Sequence, residues 1–159
     1  MYPKTTFKLE GFADLEAQLL ALGNGIRSDL TARNTIVKAA KESMVPVYNQ
    51  VVATAPYDEN NTGPIHLRDT ARLDARIPSS KDKLSDYVND TDAAIAVVSV
   101  KKSAVSLAQE FGTRKMSPPP HPFLRIALFQ NSKVVLDKLK SELENWIPAY
   151  AKKLAKRKK

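Results

Sequence analysis

The chain has no cysteine, only two histidines and five glycines among its 159 residues, and an aromatic share of 7%. Without cysteine there is no disulfide framework, no thiolate nucleophile and no Cys-ligated zinc. His66 and His121 sit far apart in separate proline-bearing segments, so no metal site is expected. The glycines build no phosphate cradle: Gly23-Asn24-Gly25 lacks a third glycine and a preceding strand, and no Gly-Lys-Ser/Thr occurs. A Gly-x-Ser-x-Gly nucleophile elbow is also missing. Asp82, Asp86, Asp90 and Asp92 do not follow calcium-loop spacing and read as a solvated acidic loop. No apolar run approaches the ~20 residues that span a bilayer, and Lys4, Lys8 and Glu10 interrupt anything resembling a signal peptide. These absences leave no catalytic motif, no metal and no cofactor to expect from local sequence, while a Ser-His-Asp or Ser-Lys group, which converges only in three dimensions, is left open by spacing.

What is present is one domain's worth of core, with 43% hydrophobic and 26% charged residues. The net charge of +8 is unevenly placed: residues 1–130 carry 16 basic and 14 acidic side chains, residues 131–159 carry 9 and 3. Six of the last eight residues are cationic: Lys152, Lys153, Lys156, Arg157, Lys158 and Lys159. The reading is a single α+β domain over 1–151 with a basic tail over 152–159.

Periodicity supplies the elements. Phe12, Leu15, Leu19 and Leu22 mark a helix over 12–22, ended by Gly23-Asn24-Gly25. A longer helix starts at an N-cap Ser28, carries Leu30, Val37, Met44, Tyr48 and Val51 on its apolar side, and kinks or breaks near Val45 because of Pro46. Ala55-Pro56 closes it, and Tyr57 to Pro64 has loop composition. Residues 71–77 alternate with period two, and 94–100 form a short apolar run, which together predict an antiparallel pair joined by the polar connection 79–92. A short helix over 104–110 precedes an irregular, proline-rich 112–122. A last helix runs from Phe123 toward Lys153 with Leu128, Val135, Leu139, Leu143, Trp146, Tyr150 and Leu154 on one face and a bend at Pro148. The predicted architecture is a small antiparallel sheet packed against a long helix from the N-terminal half and a C-terminal helix.

Two blocks stand out: Glu110-Phe111-Gly112-Thr113, followed by Lys115-Met116, and Pro122-Phe123-Leu124-Arg125. Together with Phe7-x-Leu9-x-Gly11, Ala55-Pro56 and Thr62-Gly63, they resemble the signature of the neck or tail-completion proteins of long-tailed phages and prophages, which join head to tail. Pro64-Ile65-His66, Asp69-Thr70-Ala71 and Ile126 depart from that pattern and bear on local loop geometry. The resemblance implies a structural virion protein, assembled in the host cytoplasm, that forms a ring homo-oligomer at the head-proximal end of the tail after docking. Its implied partners are further copies of itself, the tail tube or tail terminator protein, and head-completion or connector proteins, with packaged DNA as a further contact and no membrane. A ring requires two different patches per subunit. The loops at 57–64 (Tyr57, Asp58, Glu59) and 114–122 (Lys115, Met116) and the basic end are the candidate partner-binding surfaces. The alternative is a small nonspecific DNA-binding protein that uses the basic end with Arg68, Arg72 and Arg76, although Asp74 interrupts that row.

Overall fold

A computed structural model of the chain describes residues 13–60, 62–63, 65–115 and 120–157, with the side chains of 13–16 and of Arg157 outside that description. The fold is α+β. Its helices are α1 (Ala13–Ala21), α2 (Gly23–Ser28), α3 (Leu30–Ser43), α4 (Val45–Thr54), α5 (Ala104–Phe111), α6 (Leu124–Glu144) and α7 (Trp146–Arg157), with strands β1 (Arg72–Arg76) and β2 (Ile95–Ser99) between α4 and α5. No helix among the described residues is long and apolar enough to cross a membrane.

The strands pair antiparallel, Arg72 opposite Ser99, Asp74 opposite Val97 and Arg76 opposite Ile95. Strand alternation turns Leu73 and Ala75 inward and Arg72, Asp74 and Arg76 outward. The sheet lies against α3, and α6 packs along both α3 and α4.

Proline dictates both major helix breaks in the same way. The chain interrupts at Met44, two residues before Pro46, and at Asn145, three residues before Pro148. Each proline therefore falls in the first turn of the following helix, where its missing N–H is harmless and its ring meets no carbonyl of a preceding turn. The bend expected at Pro148 is thus placed at Asn145.

The core has two parts. Ile26, Ala32, Ile36 and Ala39 meet Leu143, Ile147 and Tyr150 between α2, α3, α6 and α7. Val47, Val51 and Ala55 meet Phe123 and Ala127 between α4 and the start of α6, with Val98 and Leu67 alongside. Leu143 and Val51 are wholly buried, worth about 1.5–3 kcal/mol each relative to exposure.

Several expectations change. The α3 stripe is Ala32, Ile36, Ala39 and Ser43, while Leu30 is exposed, because small residues let α3 approach its neighbours closely. Leu128 likewise faces solvent and Ala127 takes the buried position. The cap of α3 is Asp29, which accepts from the Ala32 N–H at 3.1 Å, whereas Ser28 bonds back to the carbonyls of Asn24 and Gly25. The Gly23-Asn24-Gly25 segment does not end a helix as a turn; it lies inside α2. A Cβ at Gly25 would come within 2.4 Å of Leu154 Cδ1, so the glycine provides space for α7 to dock. Of the first helix's stripe, Leu19 and Leu22 pack on the core, and Phe12 and the Leu15 side chain lie outside the described residues.

Candidate functional site

The two sequence blocks form one physical unit. Ser103 caps α5, accepting from the Ser106 N–H at 3.1 Å, and Ser106 Oγ accepts from the Ser103 N–H at 2.8 Å. This orients α5 with Ser106 and Glu110, one helical turn apart, both pointing inward. Glu110 is only 3% exposed.

The Glu110 carboxylate lies at the start of α6. Its Oε2 accepts from the N–H groups of Phe123 at 2.9 Å and Leu124 at 3.0 Å, and its Oε1 from the N–H of Arg125 at 3.0 Å and from Arg125 Nε at 2.9 Å. All four partners donate, so the group acts purely as an acceptor. The first N–H groups of a helix have no internal partner, and a negative side chain there also complements the macrodipole. A cap is ordinarily supplied by the adjoining residue; here it comes from thirteen residues earlier. Arg125 completes the clasp by donating through Nη2 to the Glu110 carbonyl at 2.5 Å and by placing its guanidinium 5.1 Å from the Phe111 ring centroid.

Residues 112–115 and 120–122 lie in sequence between the clasped ends. Gly112 comes first, at φ +79°, the one positive φ among the described residues. Its missing side chain leaves room for Pro120, whose Cγ would sit 2.9 Å from a Cβ there. Thr113, Arg114, Lys115 and His121 are exposed, Pro122 is half-buried, and Phe123 is anchored in the core. Met116 lies outside the described residues. The arrangement is a clasp beside exposed cations.

The 57–64 surface is organised differently. The Tyr57 ring lies 4.3 Å from the His66 ring, tilted by 35°, and carries the Arg68 guanidinium at 4.0 Å from its ring centroid. Asp58 accepts from the Asn60 N–H at 2.9 Å, and Asp58 and Glu59 are exposed. An open cleft of about 510 Å³ lies beside it, lined by Ile65, Asp69, Thr70, Arg72, Ser99, Val100 and Lys101.

On the basic end, Lys152, Lys153 and Lys156 project from α7, which runs across position 151 to Arg157. Leu154 packs into the core, and the Tyr150 hydroxyl donates to the Gly25 carbonyl at 2.9 Å and lies 3.2 Å from Asp29 Oδ2. Lys158 and Lys159 lie outside the described residues. Two of the three arginines of the DNA-binding alternative are drawn into local pairs: Arg68 lies 3.6 Å from Asp69, and Arg76 binds Asp74 and Asp82.

Sequence reading missed the Arg76–Asp82 lock, although Ser79-x-x-Asp82 has the spacing of a side chain closing its own turn. Asp82 accepts from Arg76, from the Ser79 N–H at 2.9 Å and from the Ser79 hydroxyl at 2.7 Å. The Arg76 guanidinium, and then the Ser79 donors, hold its carboxyl well below the usual carboxylate range. Ser103-x-x-Ser106 is a second legible spacing. The pairing of Glu110 with 123–125 has no local signal, since partners thirteen or more residues apart meet only through the fold. Among the described residues no three His, Asp or Glu side chains are grouped to hold a metal. The chain matches no protein-family model, no curated protein and no solved structure.

Proposed function

We propose that the chain is a non-enzymatic virion assembly protein of the neck or tail-completion kind, forming a ring at the head-proximal end of a phage tail. The observation that carries this reading is that residues of both blocks of the resemblance, Glu110 and Phe123 to Arg125, are joined as a clasp beside the exposed Arg114 and Lys115. A docking element needs a defined base and an exposed tip, because ordering a fully floppy loop on binding costs affinity. The exposed cations Arg114 and Lys115 favour an acidic neighbour.

The test is association with tails that lack the protein. The purified chain should co-sediment with such tails and restore head joining, and a Arg114→Glu, Lys115→Glu variant should associate more weakly with its fold intact by circular dichroism. Failure of the wild-type chain to bind tails overturns the reading. The DNA-binding alternative draws on the lysines of α7; a filter-binding salt series separates the two, since phosphate-mediated binding falls steeply with salt.

A further inference from the structure

Helix α5 has its amphipathicity turned outward. Its buried residues are the polar Ser106 and Glu110, while Val105 is 62% and Leu107 43% exposed. A surface helix ordinarily puts its apolar stripe on the core. Here the inward face is committed to the clasp on α6, and the apolar side chains meet solvent. The segments flanking this helix carry charge of one sign: Lys101 and Lys102 before it and Arg114 and Lys115 after it are exposed, while its one acid, Glu110, is buried.

The opposite chemistry lies in the β1–β2 connection. Leu84 is 86% and Tyr87 71% exposed there, and residues 77–92 contain four aspartates against two lysines. Asp90 is exposed while pairing with Lys83 at 3.2 Å, and the base of the loop is held by the Arg76–Asp82 lock. The two surfaces are separated by topology: the connection leaves the far end of β1, whereas α5 follows the far end of β2. Five-residue strands put those ends about 13 Å apart.

We propose that the outward apolar face of α5, within its cationic surround, binds the acidic Leu84–Tyr87 loop of a second copy of this chain, head to tail. Charge selects this occupant. Two α5 faces brought together would set like charges against each other, while α5 against the loop pairs apolar with apolar and cation with carboxylate. Two different patches at opposite ends of one sheet generate a heterologous contact, the kind that closes rings. The pairing deepens the ring reading above by naming the contact that would build it.

Sedimentation velocity of the full chain over a concentration series tests it, with Val105→Asp, Leu107→Asp as one variant and Leu84→Asp, Tyr87→Asp as the other. All four positions are exposed, so both variants should keep the wild-type circular dichroism spectrum. The wild type should self-associate, more weakly as salt rises. Each variant alone should lose about a hundredfold or more in affinity, as truncation of central apolar anchors does. An equimolar mixture should recover a one-to-one heterodimer, because each variant supplies the half that the other lacks. A wild type that stays monomeric at every concentration, variants that associate like wild type, a mixture that stays monomeric, or α5-dependent binding to anionic vesicles without self-association would each overturn the proposal. Loss of pairing with tail binding intact discards this interface alone; loss of tail binding with pairing intact discards the tail-completion reading and leaves the interface standing.

Discussion

Replacing Glu110 by alanine removes the acceptor for three consecutive N–H groups at the start of α6, and the size of the loss follows from where those groups lie. An exposed N-cap replaced by alanine costs about 1 kcal/mol. Here the Phe123 N–H is buried and the Leu124 and Arg125 N–H groups are partly so. A buried donor left unsatisfied costs about 1–3 kcal/mol, and water can reach at least the outer two after truncation. The expected loss for Glu110→Ala is therefore about 3 kcal/mol. The ion pair contributes less of it, because the Glu110 carboxylate is buried but the Arg125 side chain is 60% exposed, so solvent screens the pair from one side toward the roughly 0–1 kcal/mol of exposed pairs. Arg125→Ala should thus cost about 1 kcal/mol or less. Glu110→Gln should fall between the two, since one amide oxygen still accepts while the amide nitrogen faces a donor. Urea denaturation followed by circular dichroism reads all three. In thermal melts about 2–4 °C per kcal/mol applies at this chain length, which places Glu110→Ala about 6–12 °C below wild type. An Arg125→Ala variant as unstable as Glu110→Ala would refute the reasoning, because the pair and not the cap would then hold the clasp.

Three further outcomes are expected. Gly112→Ala should destabilise by about 1–3 kcal/mol in the same denaturation assay, from its positive φ and the crowding of Pro120; a neutral result would mean that the segment relaxes freely. Truncation after Ala151 should cost about 1 kcal/mol, from the loss of the half-buried Leu154 side chain, and Gly25→Ala should loosen the same end of α7, read as faster amide exchange there. Asp82 carries a folded-state carboxyl held below its unfolded value, so the stability it contributes is full above the ordinary aspartate range near about 3.9 and disappears as pH falls through the folded value. Asp82→Asn should accordingly be less stable than wild type at neutral pH, with a gap that narrows only below about pH 4; an equal gap at all acid pH values would exclude the linkage. An NMR titration of the Asp82 side chain checks the direction independently.

Local rules in the sequence specified much of the fold. Period-two alternation over 71–77 marks β1, whose inward Leu73 and Ala75 follow the pattern, and Pro46 forces the break between α3 and α4 because a proline ring cannot follow an uninterrupted turn. The alternation is a property of seven adjacent residues, and the proline acts within one turn. Burial direction was less legible. Leu30 and Leu128 read as core yet face solvent, because Ala32 and Ala127 are better suited to close helix approach than larger side chains. Gly23-Asn24-Gly25 reads as a turn on propensity, which is overridden where Ile26 is buried and Leu154 needs the space at Gly25.

The sequence by itself determined the strand pair and most of the helices, the absence of cysteine chemistry, the uneven charge and the two blocks at 110–113 and 122–125, because each is written in neighbouring residues. Only the tertiary structure decided what those blocks do. Glu110 and the α6 N-terminus are separated by a proline-rich segment, and the orphan N–H groups of a helix give no sign in sequence of which distant carboxylate will reach them. The same holds for α5: only the fold turns Ser106 and Glu110 inward to the clasp and leaves Val105 and Leu107 in solvent. Which face of an amphipathic helix is buried depends on what the neighbouring element must bond, and a buried carboxylate holding three backbone donors outweighs the burial of two exposed aliphatic side chains.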